Sequence, residues 1–275
     1  MAAEQRQMAT EQQHQPKGSL KPQVYKDPRP AEHFTRFHER TRAKRPNWMY
    51  EAVRLVITPY LLCFFRARAI DSDKVPADGP VIVAPNHFSF LDHFFVAMHL
   101  RRKVQFLAKS QLFEKPLEIV YNNGGVFPVR RGHRDEEAFK TAHAVLARGD
   151  IVVMYCEGGR SRTGKLGEAK PGIGRLALES GAPVVPVALV GSERVRDWKR
   201  LQLPSVVVQF GDPVRFERVE APDRDQSQAA SEQIFVRIKG LWDGLRENGR
   251  SATVKARRAA RRSRGEAAAG QPATR

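Results

Sequence analysis

The chain has 275 residues, of which 41% are hydrophobic and 28% are charged, and this length and composition allow one α/β domain with polar tails. The formal net charge of +17 predicts an anionic partner. Three classes fit this charge equally well: nucleic acid, an anionic bilayer surface, and a phosphorylated or CoA-linked substrate. The two cysteines, Cys63 and Cys156, lie far apart and without neighbouring ligands, which excludes a disulfide framework or a zinc site.

The N-terminal residues 1–45 are polar, rich in Gln, Lys, Arg and Pro, and without a sustained hydrophobic period. They predict a disordered polar and basic arm. The first residues lack the apolar core of a secretory signal, so the chain is expected to stay on the cytoplasmic side.

Residues 46–66 contain the apolar run 53–65, which includes Arg54 and Pro59 and is shorter than the ~20 residues that a bilayer span needs. The run is therefore expected not to cross a membrane. Two interpretations stay open: an interfacial helix lying among lipid headgroups, or an ordinary packed helix. The expected location is peripheral, on the cytoplasmic face of a membrane.

Five short apolar runs beyond this segment predict strands, at 81–86, 104–110, 150–156, 182–190 and 205–211. Helical patterns follow them at about 89–100, 111–122, 135–148, 172–180 and 227–247. This alternation favours an α/β fold with a central, largely parallel mixed sheet and helices on both faces. The folded domain is expected over 46–248, and 249–275, where Lys and Arg alternate with small residues, is expected to be a disordered basic tail.

The segment VIVAPNHFSFLD (81–92) holds the first candidate site. A predicted strand ends at Asn86, and His87 follows at the carboxyl edge of the sheet, where α/β proteins bind their ligands. Asp92 lies five residues further on, where a carboxylate in the first helical turns reaches back to the imidazole. Such a pair is a general-base arrangement that takes a proton from a hydroxyl group. Taken alone, the pair of His87 and Asp92 favours a purely structural role over a catalytic one.

Further segments follow in order: GGVFPVRRG (124–132), YCEGGRSRTG (155–164) and PVVPVAL (183–189). Together with NHFSFLD, they resemble the four sequence blocks of the glycerolipid acyltransferase family, and within it the 1-acylglycerol-3-phosphate acyltransferases. The resemblance covers about residues 80–190. It implies a fold like that of glycerol-3-phosphate acyltransferase and an O-acyltransferase activity.

The resemblance also implies roles for individual residues. His87 is the catalytic base, Asp92 is its partner, and Arg131 binds the phosphate of the acceptor. The acceptor-binding block contains Glu157, Gly158 and Arg160. Arginines suit this task because they bind phosphate through paired hydrogen bonds, and glycines let a phosphate approach the backbone. The block departs from the usual FPEGTRS pattern, since Tyr155, Cys156 and Gly159 replace Phe, Pro and Thr.

The implied reaction moves a fatty acyl group from an acyl thioester, acyl-CoA or acyl carrier protein, to the hydroxyl of lysophosphatidic acid or a related lysophospholipid, in phospholipid biosynthesis. Glycerol 3-phosphate or another alcohol is the alternative acceptor, and a catalytically silent lipid-binding relative is a further alternative. The expected partners are the thioester, the acceptor and an anionic membrane surface. No cofactor is expected. No metal is expected either, because His93, His99 and His143 lack paired ligand spacing; packing or surface positions are predicted for them.

Two other interpretations are less favoured. The run GRSRTGK (159–165) resembles a phosphate-binding P-loop, but Leu166 stands where Ser or Thr must hold Mg²⁺. A basic nucleic-acid-binding protein would fit the pI near 10.4, yet the positive charge concentrates in tails and loops and no nucleic-acid-binding signature is present. No specific nucleic acid is therefore expected. The loop 160–170 is either a substrate loop or a solvated one, and Lys170 is a possible additional phosphate contact.

Overall fold

The structure, a computed structural model, describes residues 27–131, 135–195 and 203–269. Its strands are β1 (Arg68–Ile70), β2 (Val81–Pro85), β3 (Val104–Lys109), β4 (Val126–Val129), β5 (Ile151–Val153), β6 (Val184–Val190) and β7 (Val207–Phe210). Its helices are α1 (Glu32–Ala43), α2 (Trp48–Phe65), α3 (Asp92–Ala97), α4 (Leu117–Asn123), α5 (Glu136–Ala147), α6 (Pro171–Ser180) and α7 (Arg224–Ala269). Short 3₁₀ turns lie at Ser72–Lys74 and Ser110–Leu112.

The strands form one sheet in the order β1-β7-β6-β2-β5-β3-β4. Neighbouring strands are parallel except for β6 and β7, which are antiparallel. Strands β2, β3, β4, β5 and β6 therefore run in one direction, and their carboxyl ends meet at one edge of the sheet. This arrangement confirms the predicted α/β fold with a largely parallel mixed sheet.

Helices cover both faces of the sheet, and this burial explains why the central strands are apolar on consecutive residues. One face, with Val83 and Val187, packs under α2 and α3. The other face, with Ile82 and Val152, packs under α5, α6 and α7. Each large apolar side chain that is fully buried stabilises the fold by about 1.5–3 kcal/mol.

The prediction of a disordered arm over 1–45 was wrong for residues 32–43, which form α1. Phe34 and Phe37 are buried there with Phe113 in a small apolar cluster, and Thr41 continues the same helical face. These side chains follow helical spacing, i, i+3 and i+7. Charged residues lie between these positions and make the segment polar on average, so the narrow buried face of the helix was not recognised. Residues 1–26 lie outside the described part of the chain.

The prediction of a disordered tail was also wrong for residues 249–269, because α7 continues to Ala269 past a kink at Gly249 (φ 68°, ψ 169°). Ala, Arg and Lys are strong helix formers. Val254 packs against the cluster of Ile70, Val207 and Leu245, and Arg257 Nε lies 3.3 Å from Asp71 Oδ2. Residues 270–275 lie outside the described part.

Helix α2 fills the segment 46–66 that sequence analysis left open. The side chain of Asn47 accepts a hydrogen bond from the Met49 N–H at its start, and Arg66 ends it in a left-handed conformation. Leu61 and Phe65 are buried against the domain. Among the described residues, α2 is the one helix that is long and apolar enough, by length and composition alone, to cross a membrane. Only 17% of this 18-residue helix is buried inside the protein.

Candidate active site

Asn86 fixes the point at which β2 ends and the candidate site begins. Its Nδ2 donates to the Leu189 carbonyl oxygen at 3.2 Å, and its Oδ1 accepts from the Leu189 N–H at 2.7 Å. These bonds tie the end of β2 to the neighbouring strand β6. The next residue, His87, is therefore held at the carboxyl edge of the sheet, as the sequence predicted.

His87 and Asp92 are in direct contact. Nδ1 of His87 lies 2.8 Å from Oδ2 of Asp92, and the same oxygen accepts from the backbone N–H groups of Phe88 (2.7 Å) and Ser89 (2.8 Å). Asp92 is the first residue of α3 and is completely buried. A carboxylate that accepts these bonds requires a proton on Nδ1, so Nε2 is the basic nitrogen of His87. We call residues 86–92 the His87 turn.

The pKa of His87 lies below its ordinary value, chiefly because burial disfavours the charged imidazolium. The bond to Asp92 acts in the opposite direction, and the positive charges of Arg160 and Arg131 lower the pKa further. The imidazole is consequently neutral at pH 7, which is the protonation state that a general base needs.

Glu157 fastens the His87 turn to the loop after β5. One carboxylate oxygen accepts from the His87 N–H and the other from the Gly167 N–H, each at 2.9 Å, while the Ser161 N–H donates to the His87 carbonyl oxygen at 2.8 Å. Burial raises the pKa of Glu157. Gly158 follows with a φ of +63°, a left-handed conformation in which a side chain would be strained.

One cavity of about 750 Å³ opens beside His87, within the size range of ligand sites. Part of its wall is apolar and comes from α2, α3 and β3, with Val53, Ile57, Phe94, Met98 and Phe106. Another part is cationic, with Lys109, Arg131, Arg160 and Arg162, and we call these four residues the basic rim.

The basic rim concentrates positive charge. The pKa of Lys109 is lowered first by burial and then by Arg160, Arg131 and Arg162. Mutual repulsion of this kind is relieved when an anion such as a phosphate group binds among the cations.

The predicted acceptor-binding residues divide into two groups. Arg131 and Arg160 border the cavity. Glu157 and Gly158 do not appear in the cavity wall; Glu157 instead holds the backbone of the His87 turn in place. Lys170 is exposed and lies 3.5 Å from Glu168, and it too is absent from the wall. The residues that the structure describes contain no cluster of three or more His, Cys, Asp or Glu able to hold a metal ion.

Two aromatic residues near His87 were missed as site residues. The Tyr155 ring stacks on the His87 ring, with centroids 3.8 Å apart and planes inclined by 17°, and its hydroxyl lies 3.2 Å from Nδ1 of His93. His93, for which packing or surface positions were predicted, lines the cavity. The available signal was the departure at Tyr155 from the usual Phe of the third block.

The chain is similar in sequence to known acyltransferases. Residues 66–190 match the family model described as Acyltransferase. A chloroplastic 1-acyl-sn-glycerol-3-phosphate acyltransferase of Brassica napus, BAT2, is 29% identical over 48% of this chain and 39% of its own length. The 1-acyl-sn-glycerol-3-phosphate acyltransferase of Bacillus subtilis is 25% identical over 65% of this chain and 89% of its own length. The match thus spans about two fifths of the chloroplast relatives.

Among solved structures, the chain is similar to the 1-acyl-sn-glycerophosphate acyltransferase PlsC of Thermotoga maritima. The TM-score is 0.51 at 19% identity, over 76% of this chain and 88% of that one, and this likeness shows the shared fold. Over residues 66–190 the chain is thus similar in sequence to acyltransferases, and its fold is similar to that of the Thermotoga maritima protein.

Proposed function

We propose that the chain is an O-acyltransferase that moves a fatty acyl group from an acyl thioester, acyl-CoA or acyl carrier protein, to the hydroxyl of a lysophosphatidic acid-like acceptor in phospholipid synthesis. The observation that carries the proposal is the cavity that His87 shares with an apolar wall and a basic rim. An acyl chain, a phosphate and a general base are the requirements of this reaction, and each has a matching surface there.

The proposed reaction is direct transfer with His87 as the base. Nε2 of His87 takes the proton of the acceptor hydroxyl, and the oxygen bonds to the thioester carbonyl carbon. The carbon–sulfur bond then breaks, and the leaving thiolate takes the proton back from His87. No protein nucleophile is needed, and a positioned base contributes about 10²- to 10⁴-fold to the rate. Asp92 stabilises the imidazolium during the proton transfer.

The two walls of the cavity suit the two substrates. Burial of an acyl chain against the apolar wall stabilises the complex by about 0.8 kcal/mol per CH₂ group. Arg131 and Arg160 provide the charge and the planar donors that bind a phosphate. Glycerol 3-phosphate carries the same phosphate without the acyl chain and is the second candidate acceptor.

The outer surface of α2 supports docking of the protein on an anionic membrane, where such acceptors reside. Leu55 is 75% exposed, Val56 is 73% exposed, and Phe90 beside the cavity is 60% exposed. Apolar patches of this kind are typical of membrane or protein contacts. Val53 and Ile57 of the same helix line the cavity, so α2 contributes to both the docking surface and the acyl wall.

The experiment that tests the proposal is thiol release from acyl-CoA and from acyl carrier protein with a matched set of acceptors. Compared with lysophosphatidic acid, glycerol 3-phosphate lacks only the acyl chain and a monoacylglycerol lacks only the phosphate. We expect lysophosphatidic acid to react fastest and His87→Ala to abolish release. A rate with monoacylglycerol equal to that with lysophosphatidic acid would contradict phosphate binding by the rim. Thiol release without any acceptor would contradict acyl transfer.

A further inference from the structure

The cavity contains a second imidazole, His93, which the direct-transfer mechanism leaves without a role. Its ring centroid lies 6.0 Å from that of His87. Phe94 and Phe106 contact it edge-on, with centroids 5.4 Å and 5.8 Å away. His93 is thus a rigidly packed polar ring that faces the same space as the proposed base.

Tyr155 determines which nitrogen of His93 carries the proton. The Tyr155 hydroxyl lies 3.2 Å from Nδ1 of His93, and within the described ranges it has no second side-chain or backbone partner. If Nδ1 carried the proton, the Tyr155 hydroxyl would accept it and its own proton would have no protein acceptor among the described residues, which disfavours that tautomer. Tyr155 therefore donates to Nδ1, and Nε2 carries the ring proton.

Both partners are neutral under ordinary conditions. Burial lowers the pKa of His93 to about 3, and burial also raises the pKa of Tyr155 well above its usual value. His93 consequently stays a neutral imidazole, which donates from Nε2 and does not compete with His87 for the proton of the acceptor.

We propose that His93 is a second catalytic residue, whose Nε2–H donates a hydrogen bond to the thioester carbonyl oxygen as that oxygen becomes an oxyanion. This inference rests on the proposed acyl transfer. The attacking oxygen lies about 3 Å from the base and an oxyanion lies about 3 Å from its donor, and the rings of His87 and His93 line the same cavity, so one bound thioester can reach both. No proton passes to or from His93 in the step.

Tyr155, which replaces the usual Phe of the third block, contributes to the proposed site in two ways. The ring of Tyr155 supports His87 by stacking, and its hydroxyl sets the tautomer of His93. Tyr155 is accordingly a positioning residue, while His93 contacts the reacting atoms.

The first test compares His93→Phe with His93→Gln in the full chain. Loss of an oxyanion donor lowers kcat on the order of 10²-fold with little change in KM, and Gln, which still offers an N–H donor, restores at least about tenfold of that loss. A packing role predicts the reverse, because Phe fits among Phe94 and Phe106. Wild-type kcat in a folded His93→Phe variant would overturn the proposal.

The second test reads the tautomer directly in the wild type, so its main result does not depend on whether a variant folds. In ¹⁵N-histidine-labelled wild-type protein at neutral pH, we expect the nitrogen shifts of His93 to show the Nε2–H form. Tyr155→Phe should give a mixture of tautomers and a kcat lower by roughly 3- to 10-fold. An Nδ1–H form or an imidazolium in the wild type would overturn the proposal. A wild type that transfers no acyl group would instead remove the proposed function itself.

Discussion

The His87 turn and the basic rim border the same cavity but are built in different ways. In the turn, one buried oxygen of Asp92 accepts from the ring of His87 and from two backbone N–H groups. In the rim, the four cationic residues are only partly buried, and the charges of the three arginines lower the pKa of Lys109. The fixed turn suits a proton transfer that depends on placement, and the adjustable rim suits recognition of an anion. Substitutions in the turn should therefore act on kcat, and those in the rim should act on KM.

The largest expected effect is that of Asp92→Asn. An amide oxygen could accept these bonds but carries no negative charge, so it holds the Nδ1–H tautomer of His87 less firmly and does not stabilise the imidazolium. We expect kcat to fall by about 10²- to 10⁴-fold. Steady-state kinetics with lysophosphatidic acid measures this fall, and a thermal melt monitors folding.

Asp243→Asn is the matched control for that variant, because Asp243 pairs with Lys239 on the surface of α7. An exposed pair of this kind is screened by solvent and contributes little to stability, so kcat should be unchanged. A folded Asp92→Asn protein with wild-type kcat would show that the turn does not do the chemistry.

The next largest effect is expected in the rim. Arg160→Ala or Arg131→Ala removes a charged hydrogen-bond donor to phosphate, and the KM for lysophosphatidic acid should rise roughly tenfold with a smaller change in kcat. The KM for monoacylglycerol should stay constant. Arg101→Ala, an exposed position outside the cavity wall, is the control. An equal rise for both acceptors would contradict phosphate binding by the rim.

A smaller effect is expected for membrane binding, where apolar and charged contributions respond differently to salt. Val56→Asp on the exposed face of α2 should weaken sedimentation with anionic vesicles several-fold, because it removes roughly 1.5 kcal/mol or more of apolar burial. Val236→Asp is the matched control, since Val236 is 65% exposed but lies on α7. Rising ionic strength should weaken the binding of all three proteins, since basic residues attract anionic lipid. Equal losses in both variants would argue against α2 as the docking surface.

The smallest expected effect is on the pH dependence of kcat/KM, because the charge of the basic rim acts on the pKa of His87. The acid limb of kcat/KM should lie below the ordinary histidine pKa of about 6.5, because burial lowers the pKa of His87. The Arg160 charge lowers it further, so Arg160→Gln should shift the limb to higher pH. A pH profile of kcat/KM measures the shift, and a shift to lower pH would contradict the assignment of His87 as the base.

The same pKa shift predicts the direction of acid sensitivity. Because the folded-state pKa of His87 lies below the unfolded value, the unfolded chain binds the proton more readily. The contribution of His87 to stability is therefore present above about pH 6.5 and decreases as the pH falls toward the folded-state pKa.

The strands and the His87 turn were predictable because their signals are local. Apolar runs of strand length gave the central strands, and NHFSFLD placed His87 and Asp92 around a single turn. The edge strands β1 (RAI) and β4 (VFPV) were missed because an arginine and a proline interrupt their short apolar runs. Helix α1 and the end of α7 were missed because their few apolar contacts are distant in sequence: Phe37 packs on Phe113, and Val254 packs beside Ile70.

The cavity wall and the surroundings of His87 depend on tertiary contacts that no motif records. The block around Glu157 indicated a substrate contact, but the carboxylate is occupied by backbone N–H groups of His87 and Gly167. The stacking of Tyr155 on His87 joins residues that follow two different strands, β5 and β2. Helix α2 lines the cavity across a sequence separation that periodicity does not reveal.

The most direct test of the central claim is the rate of acceptor-dependent thiol release by His87→Ala and by the wild type, side by side, with acyl-CoA and lysophosphatidic acid at saturation. We predict that the folded variant loses at least about 10²-fold of the rate, and that intact-mass analysis of the wild type shows no acylated protein. A variant that keeps the wild-type rate, or a wild type that accumulates an acyl-enzyme, would contradict direct transfer with His87 as the base.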